Sequence, residues 1–221
     1  MFKSKSRQII TPQSEHLKLV GTLAMFWGND QFDAPSIERE SMILGMGLHD
    51  RGYGYLDNAP IGGMRDEEWQ DIARHGFHMD SSDAVADAII KYHIRRLAGY
   101  GTSDIRKALH AEFDQGVTDH LKRHNLARLL FDRMDRITDL LDHLSFELCF
   151  DAPASGSLSI FPRNDGDQEV TVEYHIENGE INVSPWPFSV DEHHGYLIAY
   201  QMDGYPERLD PVLLPYHLKR K

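Results

Sequence analysis

The sequence predicts an α+β protein, a mainly helical body followed by a small C-terminal antiparallel β-sheet. Three observations carry that expectation. Apolar residues recur at helical spacing through the first two thirds of the 221-residue chain. The composition shifts once, at Asp151-Ala152-Pro153-Ala154-Ser155-Gly156. Beyond that shift, runs such as Val170-Thr171-Val172-Glu173-Tyr174 alternate, and Asn178-Gly179 is a strong hairpin signal. The division expected is a helical domain over 1–150 and a small β segment over 151–221, packed on the helices because so short a segment buries little by itself.

The elements follow in order. Thr11-Pro12 reads as a helix cap followed by proline at the first helical position, and His16, Val20, Leu23 and Trp27 then share one face. Gly28-Asn29-Asp30 stops that helix. A second helix is expected from near Asp33-Ala34-Pro35-Ser36 to His49 or Asp50. The Gly- and Tyr-rich stretch 51–63 reads as a long loop, and 64–80, with Trp69, as an ambiguous segment in which a short helix fits. Ser81-Ser82 suits the cap of a helix over roughly 83–99, with Val85, Ala88, Ile89 and Tyr92 inward; another runs over roughly 104–114. From Thr118 to Phe150 the pattern is helical almost throughout, with Ile137, Leu141, Leu144 and Leu148 as its apolar stripe. Extended pieces are Ser157 to Phe161, Ile181 to Val183, Tyr196 to Gln201 and Val212 to Leu214.

Composition narrows the function. A net charge of −12 argues against a nucleic-acid polymer as partner. No run approaches the ~18–20 apolar residues of a membrane span, and the basic start Met-Phe-Lys-Ser-Lys-Ser-Arg lacks the apolar core of a secretory signal. The single cysteine, Cys149, permits no internal disulfide, fits a reducing cytoplasm and reads as a packed residue rather than a nucleophile. There is no phosphate loop, Gly-x-Ser-x-Gly elbow, HExxH or CxxC.

The chemistry-bearing feature is His49-Asp50, which closes the apolar stretch Met42 to Leu48. A carboxylate at the negative end of a helix is unfavourable unless a cation offsets it. Two polar groups at the end of a buried helix also cost heavily without a partner, and an ion supplies one. His16 lies on the apolar side of its helix and reads either as a core imidazole bonded to a carbonyl or as a ligand; His49-Asp50 weighs toward the ligand. Asp142, one position off the apolar stripe beside Thr138, Ser145 and Cys149, is a boundary residue or a ligand. His93 is a polar edge residue, a ligand of a second ion or a substrate contact. His120 and His124, four apart with Lys122 and Arg123 between them, read as a solvated basic face, and the pairs around His75 and at His193-His194 as surface loops.

A family resemblance appears at this point. His49-Asp50-Arg51-Gly52-Tyr53 through Leu56-Asp57 to Pro60 is similar to the signature "HD-x-GW … LD-x-x-P" of the bacterial proteins grouped as domain-of-unknown-function family 3891, with Tyr53 in place of the usual tryptophan. Gln13-Ser14-Glu15-His16 with Trp27-Gly28, Ala88 to His93, Asp142 to Phe146 with Cys149, and Pro185-Trp186-Pro187-Phe188 resemble that family's other segments in order, so the likeness covers about residues 13 to 190. It implies an HD-like helical core. The wider HD superfamily is mostly metal-dependent phosphohydrolases, and similarity to it implies His16, His49, Asp50 and Asp142 as direct ligands of a divalent ion (Mn, Fe, Zn, Co or Mg), with His93 nearby.

On that implication the expected reaction is hydrolysis of a nucleotide or other small phosphate ester. Asp50 and His93 are the catalytic candidates; Arg51, Lys91 and Arg95 are available to neutralise phosphate, and Tyr53, Tyr55 and Trp69 to stack on a base. A second reading is a non-catalytic metal- or ligand-binding module. It is favoured by Arg51-Gly52-Tyr53 standing where the HD segment usually continues with a Gly-Lys-like pair.

Overall fold

The computed structural model describes residues 1–58, 60, 61 and 64–220; the side chains of 55–58, including Tyr55, and the residues Ala59, Gly62 and Gly63 lie outside that description. The chain opens with two short strands, β1 (Phe2–Lys3) and β2 (Ile9–Thr11). Helices follow: α1 (Gln13–Phe26), α2 (Arg39–Gly47), a 3-10 helix (Arg51–Asn58), α3 (Asp66–His78), α4 (Ala84–Gly99), α5 (Asp104–His124) and α6 (Arg128–Cys149). Five strands complete the chain: β3 (Ala154–Ile160), β4 (Val170–Glu177), β5 (Glu180–Ser184), β6 (Glu192–Gln201) and β7 (Pro211–Lys219).

The expectation of a mainly helical chain with a small C-terminal sheet is corrected. Helix makes up 46% of the chain and strand 22%, in one curled sheet of seven strands. Its order is β1-β2-β6-β7-β5-β4-β3, so it takes strands from both ends of the chain. It is also not wholly antiparallel, because β5 runs parallel to β7. The predicted β4–β5 hairpin is present, with Asn178 and Gly179 both at positive φ (51° and 80°). His193-His194, expected in a loop, lies within β6.

Local chemistry explains where the helices differ from expectation. Residues 33–37 stay out of α2 because Asp33 is occupied elsewhere: its carboxylate takes Arg163 Nη1 at 2.8 Å and the Asn164 backbone N–H at 3.0 Å. Asp83, not Ser81-Ser82, caps α4, accepting from the N–H groups of Val85 and Ala86. The long helical stretch after Thr118 breaks at Asn125, whose left-handed backbone (φ 54°) ends α5 before α6 begins.

One buried apolar cluster runs without interruption from the helices into the sheet; Leu19, Ile90, Leu140 and Leu144 belong to it, and so do Val172, Ile181, Leu197 and Leu218. Helix α4 lies at its centre, buried continuously from Ala86 to Ile94. Polar side chains on such a helix need partners, and the partners of His93 define the site.

Candidate metal centre

Three segments distant in sequence meet α4 here. Helix α1 presents Gln13 and His16, the turn after α2 presents His49 and Asp50, α4 presents His93, and α6 presents Asp142 and Ser145. His49 and Asp50 follow α2, which ends at Gly47, instead of lying on the helix wall. Gly52 fixes how that turn packs: a Cβ on it would stand 2.6 Å from the Gly76 Cα, so only glycine lets this backbone press onto α3.

Four ligand-type atoms converge. The Nε2 atoms of His16 and His49 are 3.0 Å apart. Asp142 Oδ1 lies 3.3 Å from the first and 3.5 Å from the second. Asp50 Oδ2 lies 3.7 and 3.8 Å from the same two nitrogens. Ligands that each sit ~2.0–2.2 Å from one cation are separated by roughly 3–4 Å, and these five separations fall in that range; the groups able to hold an ion form two overlapping triads, His16-His49-Asp142 and His49-Asp50-His93.

The surrounding hydrogen bonds settle the tautomers. His49 Nδ1 faces the Met46 carbonyl at 2.7 Å, and a carbonyl only accepts, so this nitrogen carries hydrogen. Ser145 donates its hydroxyl to the His16 carbonyl (2.9 Å) and therefore accepts from His16 Nδ1, also at 2.9 Å. In the neutral rings both Nε2 atoms are then bare lone pairs pointing at each other, in the company of two carboxylates. That arrangement is repulsive unless a cation lies among them, either a proton or a metal ion. The donor set of imidazoles and carboxylates fits a divalent transition metal better than Ca.

Protonation follows the same logic. Burial works to lower the His49 pKa, but Asp50 and Asp142 outweigh it, so His49 is held above its ordinary value. Burial works to raise Asp142, yet the adjoining His16 and His49 imidazoles, able to share a proton with it, keep it well below the usual carboxylate range. Asp50 is likewise lowered, against its burial, by the charge of His49 and the hydrogen bond from His93.

His93 is not arranged as a free ligand. Its Nδ1 accepts from Arg96 Nη2 at 2.8 Å, which leaves Nε2–H to donate to Asp50 Oδ1, also at 2.8 Å. Burial and the nearby His49 lower its pKa, consistent with a neutral ring. His93 therefore orients Asp50, while Gln13 Nε2 donates to the other oxygen of Asp50 at 2.5 Å. Arg96 in turn bridges α4 to α6, bonding Asp135, meeting Asp139 at 3.1 Å and approaching Asp142 at 3.5 Å.

The centre opens into a cleft of about 530 Å³, lined on one side by Gln13, Asp50, His93 and Asp142 and elsewhere by Tyr53, Ile61, Met64, Trp69, Tyr100 and Arg106, among others. Of the residues expected to meet substrate, Tyr53 and Trp69 line this cleft; Arg51, Lys91 and Arg95 do not. Arg51 is bonded to Asp87 (2.5 Å) and to the carbonyls of Gly76 and Met79. Lys91 is buried over the Phe77 ring, 3.7 Å from Asp80, and Arg95 pairs with Asp114 at 2.9 Å. His120, expected on a solvated face, is buried against the Ala84 carbonyl. Cys149 is buried, and that burial pushes its thiol pKa up. Sequence reasoning missed Arg106, for which there was no signal, and Arg96, for which there was one: it stands three residues after His93, on the same helical face.

A match to the protein family described as "protein of unknown function (DUF3891)" spans residues 1–199. The chain belongs to this family. No curated protein matches it, and no solved structure does. The DUF3891 segment contains every residue of the convergence described above. Glu192, His194 and His217 also gather ligand-type atoms, 192 and 194 inside the family segment and 217 beyond it. There the two imidazoles stack nearly parallel (3.8 Å, 16°), so their in-plane lone pairs run alongside each other instead of meeting. Among the described residues no helix is long and apolar enough to cross a membrane.

Proposed function

We propose that this DUF3891 chain is a metal-dependent phosphohydrolase of HD-like type acting on a small phosphate ester such as a nucleotide. The observation that carries the proposal is the meeting of His16 Nε2, His49 Nε2, Asp50 Oδ2 and Asp142 Oδ1 at one wall of an open cleft. A divalent cation held by these four residues supplies Lewis acidity to a phosphoryl oxygen and to water. The chain's own groups do the rest. Ser145 and the Met46 carbonyl hold the two imidazoles in the tautomer that offers Nε2. His93 and Gln13 fix the Asp50 carboxylate, and Tyr53 and Trp69 give the cleft an aromatic wall for a planar group. The volume suits a nucleotide-sized ligand. The lone buried cysteine supports placing the protein in the reducing cytoplasm.

A second reading, a regulatory module that binds a metal or ligand without turnover, is favoured by one observation: Arg51, Lys91 and Arg95 are all committed away from the cleft. One experiment separates the two. Purified protein is assayed for metal content, then for phosphate release from nucleotides and generic phosphomonoesters with Mn, Mg, Co and Zn. Turnover that disappears in Asp50→Asn supports the hydrolase. Metal uptake with no turnover on any ester supports the module, and absence of metal uptake refutes the hydrolase and the metal-binding form of the module.

A further inference from the structure

We propose that the cleft contains a second, metal-independent anion subsite built on Arg106, and that the natural ligand carries an acidic group in addition to its phosphate. The subsite stands on geometry separate from the metal centre; only the claim that both groups belong to one ligand rests on the hydrolase reading.

Arg106 lines the same cleft as Asp50 and Asp142. Its guanidinium lies 3.3 Å from the centre of the Trp69 ring, a close stack that fixes the plane of the fork. Asp66 Oδ1 takes Arg106 Nε at 2.7 Å, and Ser103 Oγ donates to Asp66 Oδ2 at 2.6 Å. Ser103 also caps α5 by accepting from the Arg106 N–H at 3.2 Å. Gly101 makes room for this arrangement, since a Cβ there would overlap the Arg106 stem. The side chain is thus anchored through Nε and its face. Nη1 makes one long contact, 3.4 Å to the Leu97 carbonyl, and Nη2 makes no hydrogen bond among the described residues. A positioned guanidinium whose terminal nitrogen makes no hydrogen bond among the described residues, facing an open cleft that also offers Gln13, Tyr53 and Tyr100, is placed to receive an anion. Arg106 thereby takes the role that Arg51, Lys91 and Arg95 are not placed to fill.

The test reads binding, not turnover. Protein stripped of metal by chelation is titrated with inorganic phosphate at constant ionic strength set by chloride, following Trp fluorescence, with Trp69→Phe to assign the signal. The expected result is saturable binding that weakens at least tenfold in Arg106→Gln and is partly restored in Arg106→Lys, while Asp50→Asn binds as well as wild type or better, having lost a negative charge. Circular dichroism on each variant verifies folding. Phosphate binding that is equal in wild type and Arg106→Gln, absent in both, or lost in Asp50→Asn overturns the subsite. Metal uptake, measured separately, judges the hydrolase reading without touching this result. In metal-loaded protein a nucleoside diphosphate is expected to bind more tightly than the monophosphate only while Arg106 is present; equal preference in Arg106→Gln overturns the claim of a second acidic group.

Discussion

Replacing Asp142 by Asn tests the metal centre most directly, because the substitution keeps the volume and removes the charge. The fold has reason to survive it. Arg96, which approaches Asp142 at 3.5 Å, keeps its contacts to Asp135 and Asp139. The ligand set does not survive equally, since Asp142 Oδ1 stands 3.3 and 3.5 Å from both imidazole nitrogens. Losing a residue that merely orients a ligand costs ~10–100-fold in metal affinity, so losing a charged ligand should cost at least about 100-fold. A cation at 100 times its Kd stabilises the folded state by about 2.7 kcal/mol. For a chain of this size 1 kcal/mol moves Tm by about 2–4 °C, so the wild-type shift should be roughly 5–11 °C on the same scale. In Asp142→Asn the same metal concentration is no more than Kd, leaving about 0.4 kcal/mol and a shift of about 1–2 °C. The assay is thermal unfolding of chelator-treated protein with each of Mn, Fe, Co, Zn and Mg added back. A full shift retained in the variant, or no shift in wild type with any of the five, refutes the assignment of these ligands.

Three further outcomes follow from the same geometry. His93→Ala should weaken metal binding by about 10–100-fold without abolishing it, as read by equilibrium dialysis; unchanged affinity would show that Asp50 needs no such support. His49 is held above its ordinary pKa in the metal-free protein. Its protonation therefore stabilises that form fully below about pH 6.5 and fades as pH rises through the raised value. Metal must displace this proton, so apparent affinity should climb with pH through that window and level off above it, with proton release visible in calorimetry across buffers of different ionisation enthalpy; pH-independent uptake over the window contradicts the shared-proton picture. Arg51→Met strands the buried Asp87 carboxylate, which keeps the Ser81 N–H at 3.0 Å and the neighbouring Lys91 charge, and should cost about 3–5 kcal/mol in denaturant unfolding; a loss under about 1 kcal/mol would mean that water reaches Asp87.

The candidate metal centre was more legible in the chain than the sheet was. His16 sits among Leu19, Val20 and Leu23 on a buried face, and Asp142 beside an apolar stripe, so the helical period alone marks both as polar groups turned inward. Which of them come together is a tertiary fact, and the order of His and Asp segments pointed to it only through resemblance. β2 escaped because three residues, Ile9-Ile10-Thr11, are too few to show alternation. The parallel pairing of β5 with β7 leaves no local trace either, being set by the path of the intervening chain. The cationic candidates failed for another reason. Arg51, Lys91 and Arg95 are near the site in sequence, but each has an acidic neighbour from another segment (Asp87, Asp80 and Asp114), and no spacing rule predicts those partners.

The seam between β2 and β6 has a consequence for how the chain is made. Ile10 pairs with Tyr200, about 190 residues further on, and β2 leads directly into the helix that carries His16. During synthesis all four proposed ligands emerge from the ribosome well before the strand that covers Ile9 and Ile10. Contacts of such long range close slowly, so the opening segment should remain the most protease-sensitive part of the nascent chain until its last third has been translated.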